Sequence, residues 1–454
     1  MKRILFLWLV LLFPLYGISG TKQEHFSLSS DKIPVRAYVE NGKLNFSTSD
    51  GAFKWWFDNR IYLDAAAYFP SVNIDGLRSK PNKDLETDDG EFRFNNGVQV
   101  RRARFAIKAT LYDKWFAEFD LDFAYNEVSI KDMYVGYKFN DFWQIKAGNF
   151  KEPMSMERTT SSKYLLANER PMAVDMFAAG RRLGVAATGW GNHWWAAGGV
   201  FGPKVDILQK EKNRGSDGYG FTGRAAVSPV AGESMTVHIG GYATYRTPDP
   251  SGTKDRLVEF RTFPESEVDR RRFVRAEISN VNHYYTLGYE LGFRYRKFLV
   301  YGEYLFTSVN RYQYVDNMKS SLKNAVFNGW YVSGSYMILG QNRQYSPDEA
   351  EFGPMNVSRK GGNLELAARF SRVNLNDFHD SRAYITGGKA DSYSVSLNWY
   401  PRRGLLVGLN YLYLNQDKYA DDKGHITYLG KPLSESFQSG VDFSVLQLRI
   451  MASF

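Results

Sequence analysis

The chain has 454 residues, 24% of them charged and 16% aromatic, with a formal net charge of +9 and no cysteine. That excludes disulfide staples, a lipid-modified N-terminal cysteine and thiolate metal sites. Mean hydropathy is −0.42, and after residue 16 no apolar run reaches the ~18 residues of a membrane-spanning helix. Yet 30 Tyr, 32 Phe and 10 Trp suit a transmembrane barrel, whose alternate residues face lipid while aromatic rings gather at both interfaces. A soluble sugar-binding or sandwich protein is the rival reading of the same aromatics.

Lys2 and Arg3 precede the apolar run Ile4 to Tyr16, and small residues follow at Gly17, Ser19 and Gly20. This is the order of a secretory signal peptide. Residues 1–20 are therefore expected to be removed, 21–50 to form a periplasmic N-terminal segment, and 51–454 to form the barrel. Alternation predicts the first strand over Phe53 to Phe69, with Ile61, Leu63, Ala65 and Ala67 on one face and Asp58, Arg60 and Asp64 on the other. The polar stretch Pro70 to Asn96 then reads as an external loop.

The next hairpin carries most of the information about the interior. Residues 98–111 set Ala103, Phe105, Ile107 and Ala109 against Arg102, Arg104 and Lys108; residues 115–125 set Trp115, Ala117, Phe119 and Leu121 against Glu118, Asp120 and Asp122. A three-residue turn at Tyr112 to Lys114 would place Leu111 opposite Trp115, Lys108 opposite Glu118 and Arg104 opposite Asp122, so that charges pair across an inner wall. Such pairing would weaken the pull of Arg102 and Arg104 on an anion. Further strands are predicted over 130–139, 142–148, 183–190, 193–201, 219–230, 234–246, 284–296, 298–314, 325–339, 363–375, 392–400, 405–414 and 445–454. The total is sixteen. One connection, Gly340 to Gly362, falls where a short periplasmic turn is due but is more than twenty residues long.

Gly148 to Arg182 lies between two strands and is too apolar for a floppy loop, holding Tyr164, Leu165, Leu166, Met172, Met176 and Phe177. Its six basic residues, Lys151, Arg158, Lys163, Arg170, Arg181 and Arg182, face four acids, Glu152, Glu157, Glu169 and Asp175. Such a loop can fold inward and present its charges to a water-filled eyelet, where Arg and Lys favour anions. It can also be a solvated surface whose charges pair with one another and with lipopolysaccharide phosphates. The Arg-rich stretch Asp255 to Glu277 interleaves six acids with six arginines and reads as a solvated, self-neutralising external loop. The final nine residues alternate to the last, with Leu446, Leu448, Ile450, Ala452 and Phe454 on one face. That is how a barrel ends when its last strand must pair with its first.

These segments resemble the phosphate-selective porin O and P family. The matching stretches are RRARFAIKATLYDKWFAEFDLDFA (101–124), IKDMYVGYKF (130–139), GNFKEPMSMERTTSSKYLLANERPM (148–172), GNLELAARFSRVNLND (362–377), ADSYSVSLNWYPRRGLLVGLNYLYL (390–414) and the closing LRIMASF. The resemblance implies an all-β transmembrane antiparallel β-barrel of about 16 strands with an inward-folded constriction loop, a homotrimer with basic residues along the pore, in the outer membrane of a Gram-negative bacterium.

The function expected is passive diffusion of small anions such as phosphate past Arg102, Arg104, Lys108, Lys151, Arg158, Lys163, Arg170, Arg181 and Arg182. A guanidinium meets two oxyanion oxygens at once, which suits phosphate or sulfate. General diffusion without anion preference, and a barrel whose external loops serve adhesion, are the alternatives. A barrel lipid hydrolase would need a hydroxyl nucleophile beside an oriented histidine. Of the six histidines only His238 faces the lumen by parity, with Thr236 and Thr244 on its side. No enzyme activity, cofactor, metal or nucleic-acid partner is expected; outer-membrane lipid, lipopolysaccharide and, through Phe454, the barrel-assembly machinery are.

Overall fold

The computed structural model describes residues 32–70, 94–205, 218–248, 256–420, 425–428, 440 and 442–454. Residues 35–454 form one compact unit; the expected signal peptide and most of the first external loop lie outside the described residues.

Sixteen antiparallel strands close into a barrel: β1 (Arg60–Pro70), β2 (Gly97–Leu111), β3 (Trp115–Asp122), β4 (Ser129–Asn140), β5 (Trp143–Lys151), β6 (Arg181–Trp190), β7 (Trp194–Phe201), β8 (Gly220–Ala231), β9 (Met235–Arg246), β10 (Val281–Tyr295), β11 (Phe298–Val315), β12 (Ala325–Leu339), β13 (Asn363–Asp377), β14 (Ala383–Tyr400), β15 (Leu405–Gln416) and β16 (Phe443–Ser453). Each pairs with its neighbour in sequence, and β16 pairs with β1 through Leu448 opposite Ala65 and Arg449 opposite Asp64. Side-chain alternation follows the pleat: Ile61 and Leu63 are about half exposed on the lipid face, whereas Tyr62 and Asp64 are buried inside. The β2–β3 register is as the charge pattern demands, with Leu111 opposite Trp115, Lys108 opposite Glu118 and Arg104 opposite Asp122.

The structure departs most from the sequence reading at four places. The expected first strand is two, because Asp58 and Asn59 interrupt it. Phe53–Phe57 pairs with the lower end of β2 and with a hairpin of Val35–Glu40 and Lys43–Thr48, whereas Asn59 switches to exchange backbone hydrogen bonds with Phe454. The hairpin turns at Asn41 and Gly42, both at positive φ, as a two-residue turn between twisted strands requires. β3 stops at Asp122 rather than Tyr125, since Tyr125 and Asn126 take left-handed φ values of 64° and 58°. β14 starts at Ala383, nine residues early, because it pairs with His425–Tyr428 above the barrel rim. The long 340–362 connection is a hairpin, Arg343–Ser346 with Glu351–Met355, folded into the lumen.

The lumen wall is of two kinds. The outer halves of β11 to β16 turn Leu305, Val309, Phe327, Val373, Leu375 and Phe443 inward, where they form a buried core. Water is excluded there because inserted segments cover the wall: 152–180 with two short helices, α1 (Met156–Thr159) and α2 (Met172–Phe177), and 256–280 with strands Val258–Arg261 and Arg275–Ile278. α2 lies on β11, β12 and β13. A Cβ on Gly329 would come within 2.9 Å of Ala173 Cβ, so a residue without one lets α2 seat. The β1–β7 wall is polar and basic.

Arg449 joins the seam strands by two hydrogen bonds to Asp64, 2.7 and 2.6 Å, and a third to Glu169, 2.7 Å. Breaking a buried ion pair outright costs about 3–5 kcal/mol. Asp64→Ala leaves Glu169 as partial compensation, so we expect a loss of about 2 kcal/mol, read as a lower midpoint for the heat-induced mobility shift of the folded barrel on SDS gels.

Candidate functional site

The constriction is built by anchoring the 152–180 loop on wall carboxylates. The first N–H groups of a helix lack intrahelical partners. Here Glu290 Oε2 on β10 accepts from Met156 N at 2.8 Å, and Glu303 Oε1 on β11 accepts from Glu157 N at 2.9 Å. Glu303 also accepts from the hydroxyls of Ser155, Tyr242 and Tyr331, while Ser155 Oγ accepts from Arg158 N. The 256–280 loop does the same for α2: Glu265 Oε1 accepts from Met172 N at 3.0 Å while its Oε2 takes Arg369 at 2.6 Å. The expected inward fold is therefore what the loop adopts. Its apolar side covers the β11–β13 wall, and a passage remains between its charged side and β1–β7.

Two cavities follow one another along that passage, an outer one of about 330 Å³ and an inner one of about 510 Å³. Arg60, Lys151 and Arg181 line both and form the waist. Of the nine residues expected in the pore, Arg102, Arg104, Lys151, Arg158, Arg170 and Arg181 line the outer cavity. Lys108 lines the inner one. Lys163 sits behind the waist, 3.1 Å from Asp58, and Arg182 is 3.2 Å from Glu152 outside both cavities.

Their partners divide them sharply. Arg104 meets Asp122 at 3.2 Å, Lys108 meets Glu118 at 3.1 Å, and Arg181 donates to Asp132 at 3.0 Å. Other cations are held mainly by dipoles. Lys151 donates to the carbonyls of Thr159 and Thr160 at 2.8 and 3.0 Å; Arg170 donates to those of Glu157 and Thr160 at 2.8 and 2.6 Å. Arg158 donates to the Val174 and Asp175 carbonyls at 2.6 and 3.0 Å and lies 3.5 Å from the Asp175 carboxylate. Arg102, expected to face an acid across the hairpin, has no carboxylate partner among the described residues, because the β2–β3 register continued past Asp122 brings Ala124 opposite it; its guanidinium lies 5.6 Å from the Tyr62 ring.

Sequence reasoning missed several contributors. Arg60 and Arg101 were on predicted strands but not singled out. Arg270 and Arg272 come from the loop read as solvated. That loop is not solvated: Glu265 and Ser266 are buried in the barrel mouth, although Arg275–Glu259 and Arg271–Asp269 pairs do neutralise part of it. Arg270 stacks over Tyr125 at 4.4 Å and Arg272 over Phe263 at 3.8 Å, both facing the outer cavity. No local signal marked them, since strand parity does not extend into a loop.

His238 is inside, as parity requires, but it is locked in packing. Its Nδ1 is 2.9 Å from the Tyr345 hydroxyl of the 343–355 hairpin, and Glu290 lies 3.7 Å away. The carboxylates of Glu118, Asp120 and Asp132 come within 4.8 Å of one another. Arg104, Lys108 and Arg181 already match this acidic group.

Glu303→Leu removes the cap of α1 and should raise single-channel conductance as the loop loosens, with the barrel still folded on gels. Burial, aided by Arg60 and opposed by Asp58, pushes the Lys163 ammonium down to about 8. Below that pH it is charged and above it neutral, so anion-over-cation permeability should fall between pH 7 and 9. Lys163→Arg should abolish the step.

A family model described as phosphate-selective porin O and P matches residues 79–435. Porin O of Pseudomonas aeruginosa is 22% identical over 417 residues, spanning 80% of this chain and 93% of that one. The anion-selective porin from Comamonas acidovorans superposes with a TM-score of 0.51 at 13% identity over 88% of this chain and all of that one. The outer-membrane channel DcaP of Acinetobacter baumannii superposes at 0.49 and 11% over 89% of this chain and 99% of that one. With the barrel closed at sixteen strands and the family match covering most of it, the chain belongs to the phosphate-selective porin O and P family and is a porin of the Gram-negative outer membrane.

Proposed function

We propose that this porin passes small oxyanions such as phosphate in preference to cations and neutral solutes. The observation that carries the reading is the set of cations anchored on carbonyls. A carbonyl orients an ammonium or guanidinium without supplying a countercharge, so Lys151 at the waist and Arg170 in the outer cavity are held without a carboxylate, and Arg158 has only that of Asp175, at 3.5 Å. An anion entering from outside exchanges part of its hydration for these groups and for Arg102, Arg270 and Arg272. Each contact is one among several, so binding stays weak enough for release. General diffusion would need no such uncancelled charge. An adhesive role for the Arg-rich loop is disfavoured, because its charged tip is spent inside the mouth. We further propose that residues 1–20 are a signal peptide, that the barrel assembles as a homotrimer in contact with lipopolysaccharide, and that Phe454 is read by the barrel-assembly machinery.

Planar-bilayer reversal potentials in a KCl gradient test the preference. The wild type should be anion-selective, and Lys151→Ala with Arg170→Ala should reduce the permeability ratio several-fold. Liposome swelling with phosphate, pyrophosphate, sulfate and neutral sugars, repeated with Arg158→Ala and Arg170→Ala, gives a second readout. Equal uptake of charged and neutral solutes, insensitive to the substitutions, would reduce the function to general diffusion.

A further inference from the structure

The 343–355 hairpin enters the lumen from the end where turns are otherwise short, and it is fixed there. Arg343 donates to both carboxylate oxygens of Glu365 at 2.8 and 2.7 Å and to the Tyr400 hydroxyl at 2.9 Å; it also reaches the Tyr164 carbonyl of the constriction loop. Arg224 Nη2 holds the Ala350 carbonyl at 2.8 Å, and Trp195 Nε1 holds that of Asp348, also at 2.8 Å. Phe352 packs against His238, where a Cβ on Gly292 would come within 2.6 Å of its ring. This grip aims the tip at the passage, and Asp348, Glu349 and Glu351 all line the inner cavity.

The charge along the passage is therefore lopsided. Among the described residues, eleven basic and four acidic side chains line the outer cavity, but six basic and five acidic line the inner one. Burial beside Glu349 pushes the Glu351 carboxyl up; with Glu351 protonated the inner cavity still holds four acids against six cations. The two regions are in series, joined at the Arg60–Lys151–Arg181 waist. A strongly cationic zone followed by a nearly neutral one fills with ions under one polarity and empties under the other. Driving anions from the cationic zone inward brings cations toward a region that repels them, so both ions accumulate at the junction. Reversing the field depletes it.

Resting on the anion-channel reading above, we infer that the acidic tip of this hairpin, Asp348, Glu349 and Glu351, is a release element that lowers anion affinity on the periplasmic side and makes the pore rectify. Single channels of the whole protein in planar bilayers test it. At ~0.1 M KCl, where the Debye length is about 10 Å, currents at equal and opposite voltages should differ about twofold. The ratio should shrink toward one at 1 M, where that length is about 3 Å. The D348N/E349Q/E351Q variant keeps side-chain shape and should bring the low-salt ratio close to one while reversal potentials stay anionic. Lys138→Gln, in the inner cavity but off the hairpin, should increase the ratio. Linear current through an anion-selective wild type overturns the inference. So does rectification unchanged in both variants. A cation-selective reversal potential overturns the anion-channel reading instead.

Discussion

Every polar backbone group in the hydrocarbon layer has to find a partner within the protein, and this chain meets that demand by joining its last strand to its first. The join is set at one place. Asn59 and Phe454 exchange N–H and C=O groups, after the chain breaks at Asp58 and Asn59 to leave the N-terminal hairpin behind. The same break turns Asp58 inward, where Lys163, Lys43 and Lys108 gather around it at 3.1 to 3.6 Å. The closing of the sheet and the first ion cluster of the lumen are thus one local event.

A closed wall then allows unequal halves. A porin lumen is ordinarily polar on every side, but the outer part of the β11–β16 wall is apolar inside and is covered by inserted loops. Burying one large apolar side chain contributes ~1.5–3 kcal/mol, so the loops are held by ordinary core packing, with wall carboxylates capping their helices. What packing pins to one wall it clears from the other. The passage is therefore off-centre and runs along strands rich in Arg and Lys.

Charge alone does not make that passage cationic. Arg104, Arg181 and Lys108 have carboxylate partners and contribute little net field, whereas Lys151, Arg170 and Arg158 are tethered mainly by loop carbonyls. The inserts also hold one another. Arg343 of the inner hairpin reaches the constriction loop, and Glu265 of the outer loop caps α2. Moving any one of them would disturb the others, which favours a fixed waist over a gated one.

Strand count, the β2–β3 register, the inward fold of 152–180 and most of the basic residues were legible because a period-two pattern in a one-sided sheet fixes which way each side chain points. The same rule placed His238 inside without saying that Tyr345 would meet it. Loops escape that rule. Arg270 and Arg272 entered the mouth, and 340–362 became a luminal hairpin, through contacts such as Arg270–Tyr125 and Arg343–Tyr164, distant in sequence and in no periodic relation. By itself, then, the sequence determined the barrel, its sidedness and the surplus of basic residues on its inner face. Beyond the Arg104–Asp122 and Lys108–Glu118 pairs that the hairpin register already set, only the tertiary structure decided which of those cations are cancelled, because a countercharge from a distant strand or loop is a matter of distance across the lumen, and no pattern along a single strand records it.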